Sequence, residues 1–323
     1  MSLYRAAYQG RRAMVLGASG FIGRWIARGL SQAGAEVVAA VRDPEGAARI
    51  LERWGARSLI APVDLASPGT VRSLIEAHRP EIIFNAAGYG VDRSERDDIL
   101  MDRLNHSLVE EIAMAVRDLP AAPWAGARVV HCGSALEYGR LDGDLAEDGP
   151  PPSPTDPYGR SKLAGSEALR RIAWEAGIPS VTARLFTVYG PGEHSTRLLP
   201  AIMSAAETGA PVALTTGMQL RDFTFVEDVA EGLLRLGVAV QCPGETVNLA
   251  TGKLLSVRDF TKQAAHVLLI PEARLQFGLV GTHIAEMQHK PVTVARLQQL
   301  TGWSPVVPVE QGVRRTVAFQ GGP

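Results

Sequence analysis

The feature that most constrains this chain is an alternation: short runs of apolar, often β-branched residues trade places with longer segments that are apolar on one side only. Arg12 to Leu16 and Glu36 to Val41 read as strands, and between them Phe21 to Ala33 sets Ile22, Trp25, Ile26, Gly29 and Leu30 at helical spacing. Strand, helix, strand is a βαβ unit. The pattern continues through a strand at Ser58 to Pro62, a helix at Pro68 to His78, a strand at Ile82 to Ala86, a long helix from about Ser94 to Val116 and a strand at Arg128 to His131. Strands alternating with helices need a parallel sheet covered on both faces, joined by right-handed crossovers. The expectation is an α/β chain built on a doubly wound parallel sheet.

The segment Gly143 to Pro157, rich in Pro, Asp and Gly, reads as an exposed loop, and Tyr158 to Ala176 as the next helix. Past Pro191 the alternation becomes patchy, which predicts a smaller C-terminal α/β lobe. "RDFTFVEDVAEGLLRL" at 221–236 is expected to return to the first lobe. The boundaries expected are 1–186, rejoined by about 222–250, for the first domain, with 187–221 and 251–323 forming the smaller lobe.

With 323 residues, 46% hydrophobic and 21% charged, the chain can bury a substantial core and leaves no room for a long disordered tail. A net charge of -1 without blocks of like charge argues against nucleic acid or an anionic membrane as partner. Cys132 and Cys242 stand far apart and outside any Cys/His cluster, so neither a disulfide framework nor a metal site is expected. The N-terminal "MSLYRAAYQGRR" lacks the apolar run of a signal peptide, and no stretch approaches the ~18 apolar residues of a membrane span. A soluble, cytoplasmic protein is expected.

Two constellations carry chemistry. In "VLGASGFIG", Gly17, Gly20 and Gly23 recur every third residue where a strand turns into a helix. Glycine permits the tight turn, lets a pyrophosphate approach the main chain and lets helix and sheet pack closely, while the helix N-terminus offers free N–H groups. The spacing departs from the usual G-x-G-x-x-G, and a merely flexible turn is the competing reading. In "DPYGRSK", Tyr158 and Lys162 lie four apart on one helical face. A tyrosine starts near pKa 10, so bringing it about three units towards neutrality takes about 4 kcal/mol of differential stabilisation. A nearby lysine and a positively charged nicotinamide ring are suited to supply it. Ser134 in "HCGSALEYG" follows a strand and offers a hydroxyl to a substrate oxygen. Taken singly, a Tyr/Lys pair is most often a solvated helix face; the three signals in this order are not.

Together with "NAAG" at 85–88, "PYGRSK" at 157–162, "RLFTVYGPG" at 184–192 and "RDFTFVEDVA" at 221–230, these motifs resemble an extended short-chain dehydrogenase/reductase of the nucleotide-sugar epimerase/dehydratase/reductase group, over nearly the whole chain. The resemblance implies a Rossmann dinucleotide-binding domain and a substrate-binding lobe. It implies Ser134 as catalytic hydroxyl, Tyr158 as acid/base, and Lys162 as the residue that lowers the tyrosine pKa and holds the nicotinamide ribose. Gly17, Ser19, Gly20, Phe21, Ile22 and Gly23 would face the cofactor, Asp64 and Leu65 its adenine, and Asn85, Ala86 and Ala87 the cleft. Arg221 matches an arginine that grips the diphosphate of a nucleotide-sugar. Thr187, His194, Arg197 and Met218 are further pocket candidates. The helices around Ser94 to Val116 and after Tyr158 match those that pair in related homodimers.

Three departures refine this. Where 4,6-dehydratases place Asp and Glu after the catalytic hydroxyl, this chain has Ala135 and Leu136, which argues against dehydration. Thr187 stands where an asparagine is usual. Most telling is "VVAAVRDP" at 37–44: the position at which NAD-binding relatives carry an acid for the ribose 2'-hydroxyl is Val41, and Arg42 follows. A guanidinium there favours NADP(H), while Asp43 keeps NAD open and Arg42 as a surface bystander is the plainer alternative.

The expected function is therefore an NADPH-dependent ketoreductase acting on a nucleotide-linked sugar, with an NDP-4-keto-6-deoxyhexose as the favoured class. A net reductase must exchange spent cofactor, whereas an NAD-dependent 4-epimerase, the alternative, regenerates its own. Reduction of a non-sugar ketone and a non-catalytic cofactor-sensing protein are the remaining readings.

Overall fold

The computed structural model describes residues 3–92, 94–140, 143–150, 152–281 and 290–320. Residues 282–289 and 321–323, assigned above to the smaller lobe, lie outside the described residues. Along the chain run strands β1 (Arg12–Leu16), β2 (Glu36–Val41), β3 (Leu59–Pro62), β4 (Ile82–Asn85), β5 (Val129–Ser134), β6 (Ser180–Leu185), β7 (Thr187–Tyr189), β8 (Val212–Leu214), β9 (Leu220–Phe225), β10 (Glu245–Leu249), β11 (Leu254–Ser256) and β12 (Leu275–Phe277). The helices are α1 (Leu3–Ala7), α2 (Phe21–Gln32), α3 (Pro44–Arg53), α4 (Thr70–His78), α5 (Asp98–Asp102), α6 (Leu108–Asp118), α7 (Pro157–Ala176), α8 (Leu198–Thr208), α9 (Val226–Ala239), α10 (Val257–Val267), α11 (Ala295–Thr301) and α12 (Val309–Gln320).

Seven strands form one parallel sheet in the order β10-β6-β5-β4-β1-β2-β3. The chain runs outward from β1 in both directions, so the crevice between the carboxyl ends of β1 and β4 is the topological switch point where such sheets bind ligands. Because strand side chains alternate, Val15 and Phe84 join the core under α2 and α9, while Met14 and Ile83 join the core under α4, α6 and α7. In α2, Trp25, Ile26 and Leu30 are buried at helical spacing, each contributing about 1.5–3 kcal/mol of apolar burial.

The smaller lobe holds a sheet ordered β11-β9-β7, a β8/β12 pair and helices α8 and α10. Its core is aromatic: Phe223 stacks on Phe260 at 4.1 Å, and Tyr189 meets Phe260 edge-on at 5.2 Å. Leu297 of α11 and Phe319 of α12 pack against the first core, with Phe319 4.8 Å from Trp54.

The structure corrects several expectations. The stretch 221–236 divides: β9 pairs with β7 and β11, and only α9 returns to the large sheet. The long helix begins at Asp98, where Asp97 caps it by accepting from Ile99 and Leu100 N–H, and it is interrupted by a π-helical turn at Arg103–Ser107. β5 runs three residues further than expected, to Ser134, because a strand buried on both faces tolerates Gly and Ser where its neighbours supply the hydrogen bonds. The loop 143–157 is not uniformly exposed: Leu145 is buried beside Phe186 and Val292, and exchanges backbone bonds with Pro291 and Thr293.

Candidate active site

The glycine turn follows from backbone geometry. Gly17 leaves β1 with φ +74°, and a Cβ there would stand 3.0 Å from Ala87 N and 3.1 Å from Ala86 O, so the loops after β1 and β4 touch main chain to main chain. A Cβ on Gly23 would lie 2.1 Å from Gly17 O. Gly20 caps α2 in extended conformation, which leaves the first N–H groups of Phe21 and Ile22 without intrahelical partners. Arg24, absent from the sequence reading, closes the turn by donating to Ser19 O at 2.7 Å and Gly20 O at 2.9 Å, with its guanidinium 4.6 Å from the Trp54 ring. Gly17 and Gly23, which no side chain could replace, set at a helix N-terminus and a switch point, fit a dinucleotide pyrophosphate.

Around this turn, Asn85 is buried at the end of β4, with its amide 3.1 Å from His131 Nδ1 and its Oδ1 accepting from Ala87 N. Burial holds His131 well below its usual pKa, so it is neutral. Asp64 is exposed and shapes its own turn, accepting from Ala66 N and Ser67 Oγ, while Leu65 packs partly against the core. Arg42 is exposed just past β2 and has no hydrogen-bond or ion-pair partner among the described residues. Asp43 is engaged, capping α3 by accepting from Gly46 N at 3.0 Å.

The structure brings Ser134, Tyr158 and Lys162 together. Asp156 caps α7 by accepting from Gly159 N at 2.7 Å, with Pro157 in the first turn, so Tyr158 enters beside the end of β5, near the Ser134 side chain. Lys162, one turn on, is 3% exposed and donates to Cys132 O at 2.6 Å. Burial lowers its pKa and Glu137 opposes that shift. Against the expectation that Lys162 lowers it, the Tyr158 pKa is raised: burial is the main cause, Glu137 adds to it, and the opposing pull comes from Ser134 and Arg197. The phenol stands protonated at neutral pH, the form that donates.

Two loops meet over the tyrosine. A Cβ at Gly90 would lie 3.1 Å from Tyr158 Cδ2, and Asp92 from the same loop accepts from Thr196 Oγ1 at 2.6 Å and lies 3.3 Å from His194 Nδ1. Arg197 occupies the position before α8 without a side-chain capping bond and stands 3.6 Å from Glu193. Thr187 opens β7 opposite Phe223; Arg221, half-buried on β9, donates to Leu220 O at 3.1 Å. Met218 is exposed.

Sequence reasoning missed three buried polar residues. Glu137 is fully buried, pairs with Arg184 at 3.0 Å and accepts from Ser134 N at 2.8 Å. The Ser-x-x-Glu spacing of a capping box in "SALE" was the available signal. Asn105, in the π-helical turn, clamps Tyr89 through both backbone groups and donates to Ser161 Oγ at 3.0 Å; no periodicity marks it. Glu193 is the third. Among the described residues no group of three or more acidic, His or Cys side chains could hold a metal ion.

Against known proteins, the sequence model of the NAD dependent epimerase/dehydratase family matches residues 13–250. The chain belongs to that family. This family member, an NAD(P)-dependent enzyme of the extended short-chain dehydrogenase/reductase group, is 31% identical over 320 residues to a dTDP-6-deoxy-L-talose 4-dehydrogenase (NAD(P)(+)) of Kitasatospora kifunensis, covering 94% of this chain and 93% of that one. It is 26% identical over 331 residues to the dTDP-glucose 4,6-dehydratase of Neisseria meningitidis serogroup B, covering 96% and 93%. Its fold superposes on MoeE5 in complex with UDP-glucose and NAD with a TM-score of 0.81 at 26% identity, over 96% of this chain and 98% of that one.

Proposed function

We propose that this protein is an NADPH-dependent ketoreductase of a nucleotide-linked sugar, with an NDP-4-keto-6-deoxyhexose as substrate class. The observation that carries the cofactor preference is the contrast at the end of β2: Arg42 has no partner for its guanidinium among the described residues, while Asp43 is engaged in capping α3. A 2'-phosphate is attracted by the first and meets no free acid from the second. The reaction type is supported by the site's carboxylates. Ala135 is buried, Leu136 bears no acid, and Glu137 is turned inward onto Arg184, so no carboxylate from this turn is free for 4,6-dehydration. The Kitasatospora relative is named for oxidation at position 4 of a dTDP-linked 6-deoxyhexose, the reverse of the reduction proposed.

In this mechanism Tyr158 donates its proton to the substrate carbonyl oxygen, which Ser134 steadies by a second hydrogen bond. Lys162 lies one turn along the same helix and is placed to hold the nicotinamide ribose. NADPH, when bound by the Gly17–Gly23 turn, Asp64, Leu65 and Asn85–Ala87, supplies the hydride. Arg221 would grip the diphosphate, with Thr187, His194 and Arg197 lining the sugar pocket. The division proposed is 1–186 with 226–250 for cofactor, and 187–225 with 251–323 for substrate, β9 lying with the smaller sheet.

The test is the pair of dissociation constants of NADPH and NADH on cofactor-stripped protein. NADPH at least about tenfold tighter, a gap of ~1.4 kcal/mol, supports the reading, and ketosugar reduction is then assayed. NADH equal or tighter favours the second reading, an NAD-dependent 4-epimerase, which draws on the NAD bound in the similar MoeE5 structure. Binding without turnover across ketosugars would leave a cofactor-sensing protein.

A cytoplasmic homodimer completes the proposal. No helix among the described residues is long and apolar enough to cross a membrane, and Ile99 of α5 and Trp174 of α7 present 84% and 72% of their surface to solvent. Light scattering tests it.

A further inference from the structure

We infer that Glu137 is a positioning residue of this site: its buried carboxylate ties the strand end bearing Ser134 to the helix bearing Tyr158 and Lys162, and thereby sets the serine against the tyrosine. The inference rests on the catalytic reading of Ser134, Tyr158 and Lys162 given above.

The geometry is specific. Oε1 of Glu137 accepts from Ser134 N at 2.8 Å and from Ser166 Oγ at 3.1 Å, while Oε2 accepts from Arg184 Nε at 3.0 Å. Ser166 follows Lys162 by four residues and Tyr158 by eight, so it lies on the same stripe of α7. One oxygen therefore bridges the peptide of the serine and the helix face of the other two residues. Arg184 fixes the carboxylate from β6, and its guanidinium is held in turn 4.3 Å from the ring of Tyr138, whose hydroxyl donates to Asn248 at 2.8 Å. Gly133 leaves the space: a Cβ there would stand 2.6 Å from Glu137 Oε1 and 2.7 Å from Thr182 Cγ2.

Stability alone does not account for this arrangement. A buried ion pair can often be replaced by well-packed apolar residues with no loss of stability, so the pair is poor value as a fold anchor. What the carboxylate supplies, and a leucine could not, is a directional acceptor shared by two elements whose side chains must address one substrate oxygen together.

Two variants test it, each with binding and structural readouts beside turnover. Ser166→Ala leaves the ion pair and the Ser134 N–H bond in place but cuts the link to α7; the double variant Glu137→Leu/Arg184→Leu removes the bridge while keeping the volume apolar. For Ser166→Ala the expected result is kcat reduced about tenfold, with KM, the NADPH dissociation constant and Tm essentially unchanged. For the double variant the loss in kcat is about a hundredfold or more, with cofactor affinity kept. In crystals of either variant the Ser134 Oγ to Tyr158 Oη separation is expected to be longer than in crystals of the unaltered protein. Folded variants that keep the separation of the unaltered protein overturn the inference, as does wild-type kcat in both. Should the double variant not fold, Ser166→Ala alone decides. The crystallographic distance reads the positioning role even if no ketosugar is turned over by the wild type, so failure of the ketoreductase reading and failure of this one are separately visible.

Discussion

Glu193 and Arg197 stand four residues apart with carboxylate and guanidinium Nε 3.6 Å from one another, and Glu193 Oε2 is buried without a hydrogen-bond partner among the described residues. Burial pushes this carboxyl up from 4.5 to about 7, against the opposing pull of Arg197 and of the Gly190 N–H. Between those values the folded protein holds a proton that the unfolded chain has released. The stability tied to it is complete below pH 4.5 and is lost as pH rises through about 7. The full swing is about 3 kcal/mol. Glu193→Gln, which cannot ionise, is expected to flatten this limb in urea titrations and to be the more stable protein at pH 8. An unchanged slope would count against the assignment.

Arg42→Ala is expected to weaken NADPH at least about tenfold while leaving NADH within about twofold. Fluorescence titration of both cofactors reads the difference, and an equal loss for both would make Arg42 a bystander.

Tyr158→Phe keeps the ring that packs against Gly90 but removes the proton. Turnover should fall by roughly 10²–10⁴-fold with NADPH affinity retained. Retained turnover would remove the tyrosine from the chemistry.

Gly23→Ala places a methyl 2.1 Å from a backbone oxygen that cannot yield without opening the turn. A destabilisation of about 1–3 kcal/mol is expected, together with loss of dinucleotide binding. Gly209→Ala serves as control for backbone strain, since its φ is +76° and its Cβ meets no atom within 4 Å.

Thiol chemistry separates the two cysteines. Burial pushes Cys132 up to about 12, whereas Cys242 is exposed. One thiol per native chain should react readily with a disulfide reagent, and both only after unfolding. Two fast thiols in native protein would contradict the burial of β5.

Much of the fold was legible because it is written in local periodicity. The apolar run of β1, the helical stripe of α2 and the glycines between them each carry their signal within a few residues, and each matches the structure. The helix at Pro44–Arg53 was not expected although Asp43 and Pro44 spell a helix start, since its ten residues bury only Ala47 and Leu51 and so carry a weak apolar stripe. The π-helical turn at Asn105 left no periodic trace, being one extra residue per turn within an otherwise regular amphipathic pattern.

By itself the sequence determined that a βαβ unit turns on three glycines, that a tyrosine and a lysine share one helix face, and that a serine precedes them at a strand end. These are consequences of spacing along one element. Only the tertiary structure decided which carboxylates are available. Glu137 and Glu193 are equally acidic as letters, yet one is locked onto Arg184 and Ser134 across three elements and the other is raised towards neutrality by burial. Desolvation and pairing depend on what the rest of the chain brings into contact, over separations that no local pattern records.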